Sequence, residues 1–498
     1  IAYVYPNAVL KIVQPSKVKP AMKKISLAPG RLLAILSALL LLIFWAVWFF
    51  CYPNFLIWLE GYSYFSTLPD FTSLYKSIPE GVPGYIGAFL HQFYRWPAAG
   101  AAIQAFFSIW PVVCIGIILI RIFDKPKGLL WMAFLILPVY VYRQFWDLLL
   151  YYGVLYSAVA TVLMLVVTAV TAIRRPAWKL PQWLGYKWIN AAVMLAATIY
   201  SVYILTGLDP KNAEQEELTR LENLGNGRQW QEILDSVSPK DARQNQIKSR
   251  YALLALTETG YLTEYAFRYG LSGLESFLFY DTPDPLCLNF NALFYQCMDM
   301  HNAVIQQSYQ QGVQSVPGIG FASLRRLADT YLELKDYELA RKYLDILAHS
   351  TCHGAWVKER LPKLESIKGE EPAYQYDEHK ALIADFPHTI SSMVDRNVEN
   401  RKYTDLLLCA YLANEDGDKF LNILRYITPY QYPEGTPLPR LYEEAVILIS
   451  IVDPSVLQEF VISEQTRARF ADYVSMMNTG RGTQALKKYA DTYWAYPY

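Results

Sequence analysis

The apolar positions along the chain follow two patterns, which change near residue 207. Before that point they form long runs, and the first, Leu32 to Tyr52, holds 21 nearly unbroken apolar residues. A helix of that length crosses the roughly 30 Å core of a bilayer. Each run is bounded by charge or proline, and Trp and Tyr gather at the ends, as in an interfacial belt. We predict a membrane domain over residues 32–207 with five spans, at 32–52, 98–120, 129–145, 148–173 and 188–206.

The segment between the first two spans has a different character. Residues 83–97 are aromatic and partly polar and too short to span, which predicts an interfacial elbow. His91, Gln92 and Arg95 would lie within about one helical turn. They either anchor the elbow at the water boundary or contact a lipid headgroup or substrate, and we favour the anchor.

Two opposite charges flank the short connection between the third and fourth spans. Arg143 and Asp147 are four residues apart, so their side chains can pair across one helical turn. Charges at membrane depth are candidates for function. We favour a structural ion pair that closes a hairpin at the surface.

The basic residues predict the orientation of the membrane domain. The tail 1–31 and the loops 121–128 and 174–187 share one side and carry 13 Lys and Arg, against three on the other side. Cytoplasmic loops are enriched in Lys and Arg. We therefore predict an inner-membrane protein with a cytoplasmic N-terminus and an extracytoplasmic, periplasmic C-terminal domain. Met22, followed by two lysines, is a more natural start than residue 1.

After residue 207 the apolar residues recur with a helical period. The stretch FASLRRLADTYLELKDYELARKYLDILAHS at 321–350 has tetratricopeptide spacing, in which small residues let two helices approach and large ones fill the gaps. A single repeat cannot bury its own apolar face, so neighbouring repeats are required. We predict a tetratricopeptide-like α-solenoid over 208–365 and a helical block over 378–498, within an all-α protein. The predicted packing residues are Leu324, Leu327, Ala328, Tyr331, Ala340, Leu344 and Leu347.

Several stretches carry a resemblance to a known family. GRQWQEI at 227–233, ALTETGYL at 255–262, the repeat at 321–350 and LPRLYEEA at 438–445 are similar to a Bacteroidota family of multi-pass membrane proteins. The resemblance implies a tetratricopeptide-like C-terminal domain and more spans than five in some members. These are packing motifs, and the family has no assigned activity, so the resemblance implies no catalytic residue.

Few residues of the sequence are candidates for catalysis or ligand binding. Residues 207–498 hold 29 basic and 40 acidic residues, an imbalance that argues against nucleic-acid binding. No nucleotide-binding, metalloprotease or nucleophile-elbow motif occurs, and we expect no cofactor. The weak candidates for a metal site are His349, Cys352 and His353. Cys287 and Cys297 either pair as a disulfide or remain free thiols.

Two functions from different classes fit this sequence. The first is a membrane-anchored scaffold whose helical repeats bind a protein partner in a cell-envelope assembly, since α-solenoids present extended concave surfaces. The alternative is an envelope enzyme or transporter component that handles lipid-linked sugars, based on the elbow at 83–97. We favour the scaffold and expect membrane lipid and a protein as its partners.

Overall fold

A computed structural model describes residues 28–495, except 124–125, 175–177, 180, 182, 184–185, 281, 315–317, 374–385 and 433–434. Most of the predicted N-terminal tail, with Met22, and the predicted start of the last block at residue 378 lie outside the described residues. Within them the fold is all-α, as predicted, and the one extended pairing is an isolated bridge between Phe123 and Trp178.

The first half of the chain folds into nine α-helices among the described residues, with short 3₁₀ and π-helical turns between or after them. Several of them begin with proline, whose missing N–H costs nothing in the first turn of a helix. The helices are α1 (Pro29–Cys51), α2 (Pro53–Tyr62), α3 (Pro69–Ser77), α4 (Gly81–His91), α5 (Pro97–Ile122), α6 (Trp131–Phe134), α7 (Leu137–Gln144), α8 (Tyr151–Ile173) and α9 (Lys187–Tyr203). Four described segments are long and apolar enough to cross a membrane: Pro29–Cys51, Pro97–Ile122, Tyr151–Ile173 and Lys187–Leu208.

The predicted span at 129–145 does not form one uninterrupted helix. It forms the short helices α6 and α7, and the break falls just before Pro138. Proline has no N–H for the carbonyl of Phe134, four residues earlier, and its ring crowds that carbonyl. The segment is therefore shorter and less regular than the other four.

This broken segment nevertheless connects the two ends of the bundle. Before α6, Gly128 accepts a hydrogen bond from Asn190 Nδ2 at the start of α9 (2.7 Å). After α7, Phe145 stacks on Trp48 near the end of α1, with 5.8 Å between the ring centroids. The π-helical turn Ile204–Leu208, which follows α9, also lies at this second end, where the Leu205 carbonyl accepts a hydrogen bond from the Tyr52 hydroxyl. Within the described residues the segment α6–α7 thus runs from one end of the bundle to the other.

The second half of the chain is mostly helical in its described part. Its helices are α10 (Pro210–Asn226), α11 (Trp230–Ser236), α12 (Pro239–Gln244), α13 (Gln246–Thr259), α14 (Leu262–Tyr265), α15 (Pro285–Cys297), α16 (His301–Gln314), α17 (Phe321–Glu333), α18 (Tyr337–Ala348), α19 (Gly354–Ser366), α20 (Phe386–Arg396), α21 (Arg401–Ala413), α22 (Gly417–Gln431), α23 (Arg440–Ile449), α24 (Glu464–Asn478) and α25 (Gly482–Lys488).

The hairpin of α17 and α18 lies where the sequence pattern predicts it. Lys335 turns the chain with a left-handed φ of 58°, and the Asp336 carboxylate caps α18 by accepting from the Leu339 N–H at 2.9 Å. All seven predicted packing residues are buried. Ala328 and Ala340 are fully buried, which is consistent with close contact between the paired helices.

The hydrophobic cores do not follow the order of the chain. Residues between 221 and 304 share one core with residues between 390 and 493. The α17–α18 hairpin instead shares a core with Phe65, Phe71 and Tyr75, which precede α4. A helical hairpin needs a partner for its apolar face, and part of that partner here is the loop between the first two long helices.

Candidate functional site

The short helix α2 joins the bundle to the helical domain. Its N-terminal N–H groups receive the Glu216 carboxylate of α10: Oε1 accepts from the Asn54 N–H at 3.1 Å and Oε2 from the Phe55 N–H at 2.8 Å. A carboxylate at a helix N-terminus satisfies unpaired donors and complements the helix dipole. One end of α2 is thus fixed to the start of the helical domain.

The other end of α2 carries a buried carboxylate, Glu60. Arg325 of α17 donates to it through Nη1 at 3.0 Å and Nη2 at 3.2 Å. His353, just before α19, places Nε2 at 2.8 Å from the same carboxylate. The His353 ring is stacked on Phe321 and its Nδ1 lies 3.0 Å from the Ser350 hydroxyl. We call Glu60, Arg325 and His353 the joint.

The environment of the joint fixes its charges. Burial opposes ionisation of Glu60, but the Arg325 guanidinium and the hydrogen bond to His353 together lower the pKa of Glu60 to about 2. Burial lowers the pKa of His353 below its usual value. Near neutral pH the joint is therefore an ion pair between Glu60 and Arg325, oriented by a neutral imidazole. Glu60 and His353 are fully buried, and this geometry suits a positioning role.

Backbone contacts extend the joint. The Phe321 N–H donates to the Ser63 carbonyl at 2.9 Å. Gly320 allows this approach, because a Cβ there would lie 2.5 Å from the Gly61 carbonyl oxygen and 2.7 Å from that of Tyr62. The first turn of α17 therefore packs directly on the backbone of α2.

A second buried polar cluster lies on the next residue of α17. Arg326 points its guanidinium at Asn289 (3.4 Å from Nη2 to Oδ1), and Asn289 donates to Glu222 Oε1 at 2.8 Å. Burial raises the pKa of Glu222 to about 7. The consecutive arginines of α17 thus approach two buried carboxyl groups, one on α2 and one on α10.

The elbow residues predicted for the membrane surface are mostly interior. His91 ends α4 and Gln92 begins a 3₁₀ turn, and both side chains are fully buried. Gln92 Oε1 accepts from the Thr351 N–H at 2.8 Å, which ties the elbow to the end of the α17–α18 hairpin. Arg95 is partly exposed. His91 and Gln92 are therefore buried within the protein, not exposed at its surface.

The predicted ion pair between Arg143 and Asp147 does not form in the described structure. Asp147 Oδ2 instead accepts from the Gly153 N–H at 2.8 Å, at the start of α8. The Arg143 guanidinium lies over the Tyr152 ring, 5.0 Å from its centroid. Both residues still link α7 to α8, but through a helix N-terminus and a cation–π contact.

Polar side chains also meet inside the bundle. Gln144 of α7 donates to the Gln104 carbonyl at 2.7 Å, and Ser108 of α5 donates to Gln144 Oε1 at 2.5 Å. All three side chains are buried. Such bonds satisfy polar groups in an apolar interior and hold the broken segment α6–α7 against α5.

Comparison with known proteins gives one match. A family model described as "Family of unknown function (DUF6057)" matches residues 29–208 and 146–498, nearly the whole described chain. The chain belongs to this family. No curated protein and no solved structure matches it. Membership supplies no activity, so the roles of the joint residues rest on their geometry.

The three metal-site candidates separate in the structure. His349 is exposed and its Nδ1 lies 2.7 Å from the Asp345 carbonyl oxygen. His353 is buried in the joint, and Cys352 between them is partly exposed. Among the described residues no group of three or more His, Cys, Asp or Glu is placed to hold a metal ion.

Both cysteines whose pairing the sequence left open are free thiols. Cys287 and Cys297 lie at opposite ends of α15 and are buried. The Cys297 sulfur accepts from Arg228 Nη1 at 2.5 Å, and burial raises the pKa of this thiol to about 12. It therefore remains protonated near neutral pH.

Glu60 and Arg325 were not among the site residues predicted from the sequence. One signal was present: Glu60 is the only charged residue between Leu32 and Asp70, where an unpaired charge is costly. Its partner is 265 residues away, and no local pattern indicates so distant a contact.

Proposed function

We propose that this protein is a membrane-anchored scaffold of the bacterial inner membrane, whose helical domain binds a protein partner in a cell-envelope assembly. The observation that carries the proposal is an apolar groove of 470 Å³ between α16 and α18, lined by Tyr309, Ile319, Tyr343 and Ile346. Tyr309 is 46% exposed and Val313 at the rim is 83% exposed. Exposed aromatic and aliphatic side chains around a groove are typical of protein-binding surfaces.

The joint supports the same proposal. The groove lies on the hairpin that α2 and the elbow hold through Glu60, Gln92 and the Gly320 contact. A bound partner would therefore keep a fixed orientation relative to the bundle. We take α17 and α18 as a tetratricopeptide-like repeat, on the spacing of their small and large residues.

The bundle is proposed to lie in the membrane with five passes. Apolar side chains face outward on α1, α8 and α9, where lipid would cover them, among them Leu42, Phe50, Val162, Leu165, Leu195 and Ile199. The remaining pass, the short broken segment α6–α7, would be shielded from lipid by α5 and α9. With the basic residues on the N-terminal end, the helical domain would stand outside the cytoplasm.

A reporter fusion tests this topology. We expect alkaline phosphatase fused after Tyr498 to be active in cells, because an odd number of passes places the C-terminus opposite the cytoplasmic N-terminus. A reporter that works only in the cytoplasm should be silent at the same position. The reverse pair of results would mean that α6–α7 does not count as a pass.

Site-specific photocrosslinking in cells tests partner binding. A photoreactive residue at Val313, on the groove rim, should give a discrete crosslink to one protein. Tyr426 on α22 is 41% exposed and lies outside the groove, so the same residue there is the control. Crosslinks to lipid alone, or the same protein captured equally from both positions, would count against the scaffold.

A further inference from the structure

A polar cleft lies between α12 and the C-terminal helices, and it shares no lining residue with the groove. Two adjoining hollows of 540 and 720 Å³ have five lining residues in common: Arg243, Arg268, Lys487, Ala490 and Asp491. Volumes of this order accommodate small organic ligands. Phe267 and Leu486 give the 540 Å³ hollow an apolar part. We call the two hollows together the cleft.

The cleft concentrates positive charge in an otherwise acidic half of the chain. Lys240, Arg243, Arg268 and Lys487 line it and are exposed, and none of the four forms an ion pair with a described residue. Lys488, next to Lys487, does pair with Asp472 at 2.6 Å. Four unpaired cations around one hollow repel each other, and a bound anion would relieve that repulsion.

Of the three acidic residues that line the cleft, Glu264, Glu444 and Asp491, only Asp491 is held in close ion pairs. Asp491 accepts from Arg440 at 2.7 Å and from Arg469 at 2.9 Å. Glu264 is exposed at the rim. Positive charge on the four cations above is therefore only partly offset within the cleft.

The wall formed by α23 contributes a buried carboxyl group with an unused oxygen. Glu444 is 1% exposed, and its Oε2 accepts from the Tyr493 N–H at 2.7 Å. Its Oε1 has no hydrogen bond to a described residue and lies 3.7 Å from Arg440 Nε. Burial raises the pKa of this carboxyl to about 7. A buried polar atom without a partner is costly, and a ligand hydroxyl would satisfy it.

We propose that the cleft binds a small phosphate ester that also carries hydroxyl groups, with the phosphate among Lys240, Arg243, Arg268 and Lys487 and a hydroxyl at Glu444 Oε1. A phosphate carries up to two negative charges and three acceptor oxygens, and guanidinium groups bind it through paired hydrogen bonds. This site is distinct from the groove and does not depend on the proposed scaffold function. The phosphate could belong to a soluble monoester or to the diester of a lipid headgroup, which both present anionic phosphate oxygens together with hydroxyl groups.

Calorimetry with the full-length protein in phosphatidylcholine nanodiscs, in phosphate-free buffer, tests the proposal. Glycerol 3-phosphate should bind saturably and more tightly than inorganic phosphate, and glycerol should not bind. Lys487→Gln and Arg268→Gln should each weaken binding about tenfold, since each removes a charge-assisted contact. Lys358→Gln, which alters an exposed lysine on α19 outside the cleft, should bind like wild type.

Two further measurements complete the test. Glu444→Gln should reduce the preference for glycerol 3-phosphate over inorganic phosphate, because only the former carries alcohol hydroxyls apart from the phosphate. Vesicles of phosphatidylglycerol in phosphatidylcholine distinguish the lipid source. If the protein floats with these vesicles but does not bind glycerol 3-phosphate, and if Arg268→Gln abolishes the flotation, the cleft binds a lipid headgroup. Absence of binding to both probes, or binding that Lys487→Gln and Arg268→Gln leave unchanged, would overturn the proposal.

Discussion

Replacing Glu60 by glutamine tests whether the joint holds the two halves together. The change keeps the shape of the side chain and removes its charge, leaving Arg325 without its counter-ion. The pKa of Glu60 falls from an ordinary 4.5 to about 2. At about 1.4 kcal/mol per tenfold change in proton affinity, the ionised carboxylate stabilises the folded state by about 3 kcal/mol. Breaking a buried ion pair by removing one partner costs a similar amount, roughly 3–5 kcal/mol.

The assay is thermal unfolding of the full-length protein in detergent, followed by circular dichroism. A loss of about 3 kcal/mol corresponds to a decrease in Tm of roughly 6–12 °C for a domain of this size class. Glu217→Gln is the matched control, because Glu217 pairs with Lys248 at 2.6 Å while its side chain is 42% exposed. Exposed pairs contribute at most about 1 kcal/mol. Equal Tm values for the two variants would refute the reasoning.

The pH dependence of the Tm difference between wild type and Glu60→Gln provides a second test of the ion pair. The folded-state pKa of Glu60 is lowered, so its contribution is fully present above pH 4.5 and is lost as the pH falls through about 2. The Tm difference between wild type and Glu60→Gln should therefore be constant from neutral pH down to about 4.5 and shrink below it. A difference that grows on acidification would contradict the ion pair.

Three further variants test the packing and the elbow. Ala340→Leu should lower the free energy of unfolding by about 1–3 kcal/mol, because it overpacks the α17–α18 contact. Thermal unfolding measures this loss, with Ala348→Leu on the exposed face of α18 as the control. An unchanged Tm would mean that the two helices are not in close contact there. Gly320→Ala should cost a similar amount, since its Cβ would lie 2.5 Å from a backbone oxygen, whereas Gly354→Ala meets nothing within 4 Å and should be neutral. Cells that carry Arg95→Lys should not show the envelope phenotype that deletion of the gene produces, because lysine keeps the positive charge. Loss of function at normal protein levels would instead indicate that the Arg95 guanidinium binds phosphate through two hydrogen bonds, which lysine cannot form.

The local helices of this protein were predictable from the sequence. The apolar run at 98–120 became α5, and the repeat pattern at 321–350 became α17 and α18 with a turn at Lys335. Apolar periodicity and turn residues act over a few residues, and they determine which face of a helix must be buried. Pro138 also carried a local signal that the run at 129–145 would be interrupted.

Which surfaces cover those faces was decided by the tertiary structure alone. The α17–α18 hairpin packs on Phe65 and Phe71 as well as on its chain neighbours, and Glu60 finds Arg325 265 residues away. His91 and Gln92 resemble surface residues in sequence, yet the docked helical domain buries Gln92 against Thr351. A hydrophobic pattern records that a face needs a partner but not the identity of that partner, because many apolar faces are chemically equivalent. Only the packed chain, in which buried charges must meet, selects one arrangement.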